Sequence, residues 1–170
     1  MTMGIHHADT LSHFLGPIEK VFAYFNKLYL QAPVEDVTMT IFQFESGVLG
    51  YLGSSYVTPR TNWVYVYGTE AILSCTVSLP NLPFDEYLKI WPVVDKYTLL
   101  QLFDKDKDNP EIVPLSIGDP ILEEIDEFAD CIRTGEKPET DGQGALTALA
   151  LIRAAIDSAR TGRPVDLKVY

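Results

Sequence analysis

The sequence is poor in cysteine and in basic residues. Its 170 residues include two cysteines, and 13 Lys and Arg stand against 24 Asp and Glu, for a net charge of -11. Cys75 and Cys131 form no CxxC pair, which argues against a zinc or redox site built on cysteine and favours two buried free thiols. The shortage of Lys and Arg argues against binding to nucleic acid or to an anionic membrane surface, because both depend on clustered basic residues.

Long apolar runs and phosphate-binding glycine motifs are also missing. No apolar stretch approaches the roughly 20 residues that cross a bilayer, and the N-terminus lacks the basic and apolar pattern of a signal peptide. We therefore expect a cytoplasmic protein. The sequence has no GxxxxGK[ST], and the glycines at 47, 50 and 53 precede no predicted helix whose N-terminus could hold a phosphate.

Short β-rich runs fill the region between residues 18 and 103, and turn residues separate them. Consecutive strands joined by short turns predict an antiparallel sheet. With one helix before the strands and two after them, we expect a single α+β domain over residues 1–170, with an open, mostly antiparallel sheet and helices on one face. The predicted strands are IEKVFAYFNKLYL, DVTMTIFQFE, GVLGYLGSSYV, NWVYVYG, AILSCTVSL, EYLKIWPVV and KYTLLQLFD.

Three helices are predicted from apolar spacing and capping residues. The first covers residues 5–15 and has no capping residue at its start. Asp119 followed by proline begins the second helix, and Gly135 ends it. The third begins at Asp141 and ends at Gly162; it is apolar around most of its circumference, so we expect it to be largely buried. The closing VDLKVY is predicted to return as a strand.

Both faces of the predicted strand DVTMTIFQF are partly apolar. One face would carry Val37, Met39 and Ile41, and the other Thr38, Thr40, Phe42 and Phe44. A sheet with helices on one side and water on the other is expected to alternate more cleanly. We therefore expect the second face to form an oligomer interface with another copy of the chain.

The first helix carries all three histidines of the chain. His6, Asp9 and His13 lie at positions i, i+3 and i+7, so their side chains would share one helix face. Imidazole and carboxylate are ligands of zinc and non-haem iron. Ligands spread over two turns of one helix converge poorly on one ion, however, and we favour a polar helix face. A metal-dependent hydrolase or isomerase on these residues is the weakest functional alternative.

Four stretches together resemble the C-terminal domain of the Gfo/Idh/MocA oxidoreductases. They are GIHHADTLSHFLGPIEKVFAY, VYGTEAIL, the run from Ile121 through IDEFADCIRTGEKPETDG, and ALTALALIRAAIDSARTGRPVDL. The resemblance implies the open-sheet architecture inferred above. It also implies a domain that builds a substrate pocket and carries the oligomer interface, in an enzyme whose separate Rossmann domain binds NAD or NADP.

The resemblance also implies a catalytic residue. Many members carry a D-x-x-x-H motif on this first helix, and its histidine acts as the acid/base on the substrate hydroxyl. His6 matches that histidine, while Thr2 occupies the Asp position and cannot replace a carboxylate. We add Thr2, Asp9, Tyr56 and Arg60 as candidate substrate-binding residues because they are polar and stand near predicted strand ends and turns.

From this resemblance we predict the substrate-binding and dimerisation domain of an NAD(P)-dependent oxidoreductase of sugars, cyclitols or related polyols. The GxGxxG fingerprint is missing, so the chain itself is expected to bind no dinucleotide cofactor. We also expect no metal, because the candidate ligands on the first helix converge poorly. The chain would not transfer hydride alone, and a separate Rossmann-domain partner could complete it. The rival hypothesis is a non-catalytic binding or assembly module derived from the same family.

Overall fold

The computed structural model describes residues 4–58, 61–80, 82–83, 86, 88–116 and 118–169. Three α-helices occur among these residues, together with eight strands and two 3-10 helices. The α-helices are α1 (Gly4–Leu15), α2 (Pro120–Thr134) and α3 (Gly142–Thr161). The strands are β1 (Ile18–Asn26), β2 (Val37–Phe44), β3 (Leu49–Ser55), β4 (Thr61–Tyr67), β5 (Ala71–Ser78), β6 (Thr98–Asp104), β7 (Glu111–Ile112) and β8 (Val165–Asp166).

The strands form two open four-stranded sheets. The first has the order β3-β2-β1-β8 and the second the order β4-β5-β6-β7, and every described pairing is antiparallel. The chain divides into two compact units, Met1–Thr58 with Glu139–Tyr170 and Pro59–Pro138, and each unit holds one sheet. The predicted α+β class with an open antiparallel arrangement is confirmed. The strands form two separate sheets, however, where the sequence predicted one.

The core of the first unit lies between its sheet and the helices α1 and α3. Strand β2 alternates strictly, so that Phe42 and Phe44 are buried while Met39 and Ile41 are exposed. Ala8 of α1 and Leu151 of α3 join the two phenylalanines in one apolar cluster. The predicted alternation of DVTMTIFQF and the placement of helices on one face of this sheet are therefore observed.

Ser158 joins α3 to the sheet through two hydrogen bonds. Its fully buried Oγ accepts a hydrogen bond from the backbone N–H of Ala23 in β1, with an N···O distance of 3.1 Å. The same hydroxyl donates to the carbonyl oxygen of Arg163 at 2.6 Å. Strand β8 pairs with β1 at Lys20 and Val21 and does not reach Ala23. Ser158 therefore supplies the acceptor that the N–H of Ala23 needs.

Both later helices begin and end where the sequence predicts. The carboxylates of Asp119 and Asp141 each accept hydrogen bonds from two backbone N–H groups in the first turn of their helix. Gly135 and Gly162 end the helices in the left-handed region, with φ of 78° and 67°. These caps satisfy backbone groups that the helix itself leaves unpaired.

Three local predictions are wrong or incomplete. The predicted strand EYLKIWPVV is instead a 3-10 segment over Leu88–Tyr97, interrupted by Val93 with φ of -132° and ψ of 24°. Its proline lacks the N–H that a central strand needs. Of VDLKVY, only β8 pairs as a strand, and Leu167–Val169 is a 3-10 turn. Both cysteines are free but only partly buried.

The burial of α2 and α3 differs from expectation. Helix α3 was expected to be largely buried, yet Leu146, Leu149 and Ile156 are exposed. No residue of α2 is buried at all, although its apolar residues lie at helical spacing. Five of them are 55% to 70% exposed: Ile121, Leu122, Ile125, Phe128 and Ile132. Periodicity predicts which side of a helix is apolar, but it does not predict what covers that side.

Candidate functional site

His6 lies in the first turn of α1 with its side chain exposed to solvent. The helix is held from the opposite side, where Ala8 is fully buried in the cluster that includes Leu151 of α3. The carbonyl oxygen of His6 accepts a hydrogen bond of 2.9 Å from the hydroxyl of Thr10. A packed helix thus fixes the backbone of His6 and leaves its imidazole free to meet a ligand.

The two neighbours of His6 differ from it in exposure. His7 is partly buried, and burial lowers the pKa of its imidazole, with a smaller lowering from the nearby His6. Asp9 follows His6 by one helical turn and is partly buried. Within the part of the chain that the structure describes, no hydrogen bond joins the His6 ring to Asp9. An exposed imidazole in this position can exchange a proton with a bound hydroxyl group.

The metal hypothesis gains no support from the described residues. Among them, no group of three or more His, Cys, Asp or Glu side chains is arranged to hold a metal ion. His13 is exposed near the end of α1, where its ring contacts that of Phe14 edge to face with centroids 5.6 Å apart.

Tyr56 is the one further candidate pocket residue outside α1 that the structure describes. Tyr56 follows β3 and is exposed, and its backbone N–H donates to the carbonyl oxygen of Asp36 at 2.9 Å. Thr2 and Arg60 lie outside the described residues. Of the five candidate site residues, His6 and Asp9 share one helix, and Tyr56 lies in the same compact unit.

Asp36 is a structural residue that sequence reasoning missed. Its carboxylate is 1% exposed and accepts hydrogen bonds from the backbone N–H groups of Leu28, Tyr29 and Leu30, at 2.8, 2.6 and 2.7 Å. These bonds, that of Leu30 first and then that of Leu28, hold the pKa of the carboxyl group below its usual value. An aspartate at the first position of a predicted strand is the signal that could have indicated such a turn.

The outer face of the first sheet is apolar and uncovered. Tyr24, Met39, Ile41 and Tyr51 are each about half exposed or more, and they pair across β1, β2 and β3. A shallow depression on this face is lined by Met39, Ile41, Leu49, Gly50 and Tyr51. Exposed apolar surfaces of this kind mark binding sites or interfaces.

The described residues do not fit a dinucleotide cofactor. Such cofactors bind at the carboxyl ends of parallel strands that alternate with helices, with the pyrophosphate at a helix N-terminus. Both sheets here are antiparallel throughout the described pairings.

No helix in the described ranges combines the length and the apolarity that a membrane crossing demands.

The first unit is thus an open antiparallel sheet backed by two helices, one of which presents an exposed histidine. Residues 1–167 match the Gfo/Idh/MocA family domain described as "Oxidoreductase family, C-terminal alpha/beta domain". The chain belongs to this family, and the resemblance found in the sequence is confirmed.

Two curated relatives are sugar dehydrogenases. The chain is 23% identical over 167 residues to D-xylose 1-dehydrogenase (NADP(+)) 2 of Haloferax volcanii, which covers 98% of this chain and 47% of the relative. It is 24% identical over 183 residues to D-apiose dehydrogenase of Paraburkholderia graminis, covering 98% of this chain and 44% of the relative. The chain spans about half the length of these relatives.

A solved structure has the same fold. A putative NADPH-dependent oxidoreductase from Desulfitobacterium hafniense superposes with a TM-score of 0.89 at 28% sequence identity, covering 99% of this chain and 47% of that chain. A second, an oxidoreductase from Agrobacterium radiobacter, has a TM-score of 0.75 at 21% identity, covering 98% of this chain and 48% of that chain.

Proposed function

We propose that this chain is the substrate-binding and dimerisation domain of an NAD(P)-dependent oxidoreductase that acts on a sugar, a cyclitol or a related polyol. The observation that carries the proposal is the family match over residues 1–167, with His6 exposed on the helix where the family motif has its histidine. The D-xylose and D-apiose dehydrogenases among its relatives support a sugar as substrate.

In this proposal His6 is the acid/base that accepts the proton of the substrate hydroxyl group. Asp9 and Tyr56 supply polar contacts to the sugar, and so do Thr2 and Arg60. Thr2 stands where the family motif has a carboxylate, so His6 works here without that partner. The nicotinamide is held by a separate Rossmann domain, and hydride transfer needs both domains.

Sugar binding by the isolated chain tests the catalytic part of the proposal. We expect millimolar D-xylose or D-apiose to shift the imidazole resonances of His6 in NMR spectra, and we expect NADP⁺ to leave the melting temperature unchanged. His6→Asn should weaken the sugar response. His13→Asn, an exposed histidine on the same helix, is the matched control.

Two outcomes would contradict this part. A melting temperature raised by NADP⁺ would show a cofactor site in the chain itself. Sugars that perturb neither His6 nor its neighbours would remove the substrate-binding role, and a chain that still self-associates would then fit a non-catalytic assembly module.

The outer face of the first sheet supports the dimer. Apart from Glu19, which lies at the register irregularity near the start of β1, the strands β1, β2 and β3 contain no Asp or Glu, although the whole chain carries a net charge of -11. Two copies can therefore approach through this face without bringing carboxylates together. Self-association through β2 and its neighbours would bury Met39 and Ile41, which are now about half exposed.

Sedimentation equilibrium tests the dimer. We expect Ile41→Glu to abolish it, because the substitution places a carboxylate at the centre of the apolar face. Val169→Glu is the matched control, since Val169 is exposed elsewhere in the same unit. A wild-type chain that is monomeric at all concentrations, or a dimer indifferent to Ile41→Glu, would refute the sheet interface.

A further inference from the structure

We propose that Met39 is a redox-sensitive switch of the dimer: hydrogen peroxide oxidises its thioether to the sulfoxide, and the oxidised chain pairs far more weakly. The inference rests on the proposed dimer through the outer face of the first sheet, and it adds the regulation of that surface. Met39 is the one methionine that the described part of the chain contains, since Met1 and Met3 lie outside it.

Met39 stands in the middle of the apolar face. It lies on β2, the strand between β1 and β3, and its direct partners in the two pairings are Tyr24 and Gly53. Met39 is 49% exposed, and Ile41, the next residue of β2 on the same face, is 52% exposed. Both residues line the shallow depression on this face. A polar group added to Met39 therefore enters the surface that a second copy would cover.

Gly53 supplies no side chain that could cover the Met39 sulfur from β3. A Cβ at position 53 would stand 3.4 Å from the Cε of Met39 and 3.6 Å from its Sδ, so the thioether lies directly beside the glycine. Gly53 is itself exposed, and its φ is not positive, so its backbone does not require a glycine. A small oxidant in water can therefore approach the sulfur from this side.

The oxidation turns an apolar side chain into a polar one. The sulfur lone pair attacks one oxygen of hydrogen peroxide, an S–O bond forms, the O–O bond breaks, and the second oxygen leaves as water after a proton shift. The thioether loses two electrons and the peroxide gains them. The sulfoxide oxygen is a hydrogen-bond acceptor, and burial of such a group without a donor is unfavourable. A two-fold dimer would bury two of them.

The state of association sets how easily the sulfur is reached. In the single chain Met39 is half exposed, whereas in the proposed dimer it would lie inside the interface. Peroxide therefore attacks the dissociated chain, and each oxidised chain is withdrawn from the dimer by mass action. The change is reversible, because methionine sulfoxide reductases restore the thioether. Association and the oxidation state of Met39 are thus linked.

Sedimentation equilibrium before and after treatment with hydrogen peroxide tests the inference, with mass spectrometry to confirm the sulfoxide at Met39. We expect the dissociation constant of the wild-type dimer to rise at least roughly tenfold, as burial of an unpaired polar group predicts. Met39→Leu is the matched control: it keeps the side chain apolar, and its dimer should not respond to peroxide. Both proteins contain Cys75 and Cys131, so thiol oxidation cannot account for a difference between them.

Gly53→Ala tests the opening beside the sulfur. The added Cβ would make van der Waals contact with the Met39 thioether, so we expect slower oxidation of Met39 in a dilute, monomeric sample. Gly142→Ala, on α3, is the control and should leave the oxidation rate unchanged. Wild-type Met39 should also oxidise more slowly at protein concentrations above the dissociation constant. Equal oxidation rates in Gly53→Ala and the control would contradict the role of Gly53.

The outcomes separate this inference from the proposed function. A wild-type dimer whose dissociation constant stays the same after Met39 has become a sulfoxide would overturn the switch and leave the sheet interface standing. A Met39→Leu dimer that peroxide weakens as much as the wild type would overturn the switch as well. A wild-type chain that is monomeric before any treatment would overturn the interface and the switch together.

Discussion

Ser158→Ala should destabilise the first unit, because one hydroxyl serves two backbone groups there. The substitution leaves the N–H of Ala23 and the carbonyl of Arg163 without their present partner. A buried backbone group that loses its hydrogen bond costs about 1 to 3 kcal/mol. Arg163 is exposed, so water can reach its carbonyl more easily than the N–H in β1. We therefore expect a loss of about 2 to 3 kcal/mol in the free energy of unfolding.

Urea unfolding followed by far-UV circular dichroism measures this loss. The matched control is Thr147→Ala on the same helix, whose hydroxyl donates to an exposed carbonyl one turn earlier and holds no other element. We expect the control to change the free energy of unfolding by less than about 0.5 kcal/mol. A Ser158→Ala protein as stable as this control would refute the assignment of Ser158 as the link between α3 and β1.

Three further predictions concern single residues. The Thr40 hydroxyl is buried without a hydrogen-bond partner, so Thr40→Val should raise the free energy of unfolding by about 1 kcal/mol in urea titrations. Because hydrogen bonding lowers the folded-state pKa of Asp36, its contribution to stability is present above pH 3.8 and disappears as the pH falls through the folded-state pKa; Asp36→Asn should flatten this acid dependence. Gly162→Ala should lower the melting temperature because Gly162 has φ of 67°, whereas Gly142→Ala, inside the first turn of α3, should not.

Much of the fold could be predicted because local chemistry decides it. Aspartate at the start and glycine at the end marked α2 and α3, and a period of two marked β2 as a strand with two unlike faces. The pattern failed for EYLKIWPVV, where an apolar run suggested a strand and its proline indicated otherwise. The apolar spacing of α2 also did not predict its burial. Burial of a helix depends on which other surface packs against it, and the spacing of residues within the helix carries no information on that surface.

The candidate site was predictable only where a motif marks it. His6 could be singled out by the family pattern, and the structure places it exposed on α1, while its role stays a prediction. Asp36 could not be found in this way, because an acidic residue in an acidic chain looks like one more surface carboxylate. Its function depends on three backbone donors that the loop brings together only when folded.

The register of β2 couples the two roles proposed for this unit. Successive side chains of a strand point to opposite faces, so a shift of one residue would bring Ile41 inward and move Phe42 outward. Such a shift would disturb the packing under α1 that places His6, and it would also replace the apolar face offered to a second copy. The hydroxyl groups of Thr38 and Thr40 are buried on the inner face without hydrogen-bond partners, so the packing of this face is not at its most stable. If Thr40→Val stabilises the fold as predicted, the helix-backed face can be strengthened while the exposed face stays unchanged, and the two roles can then be measured separately on one strand.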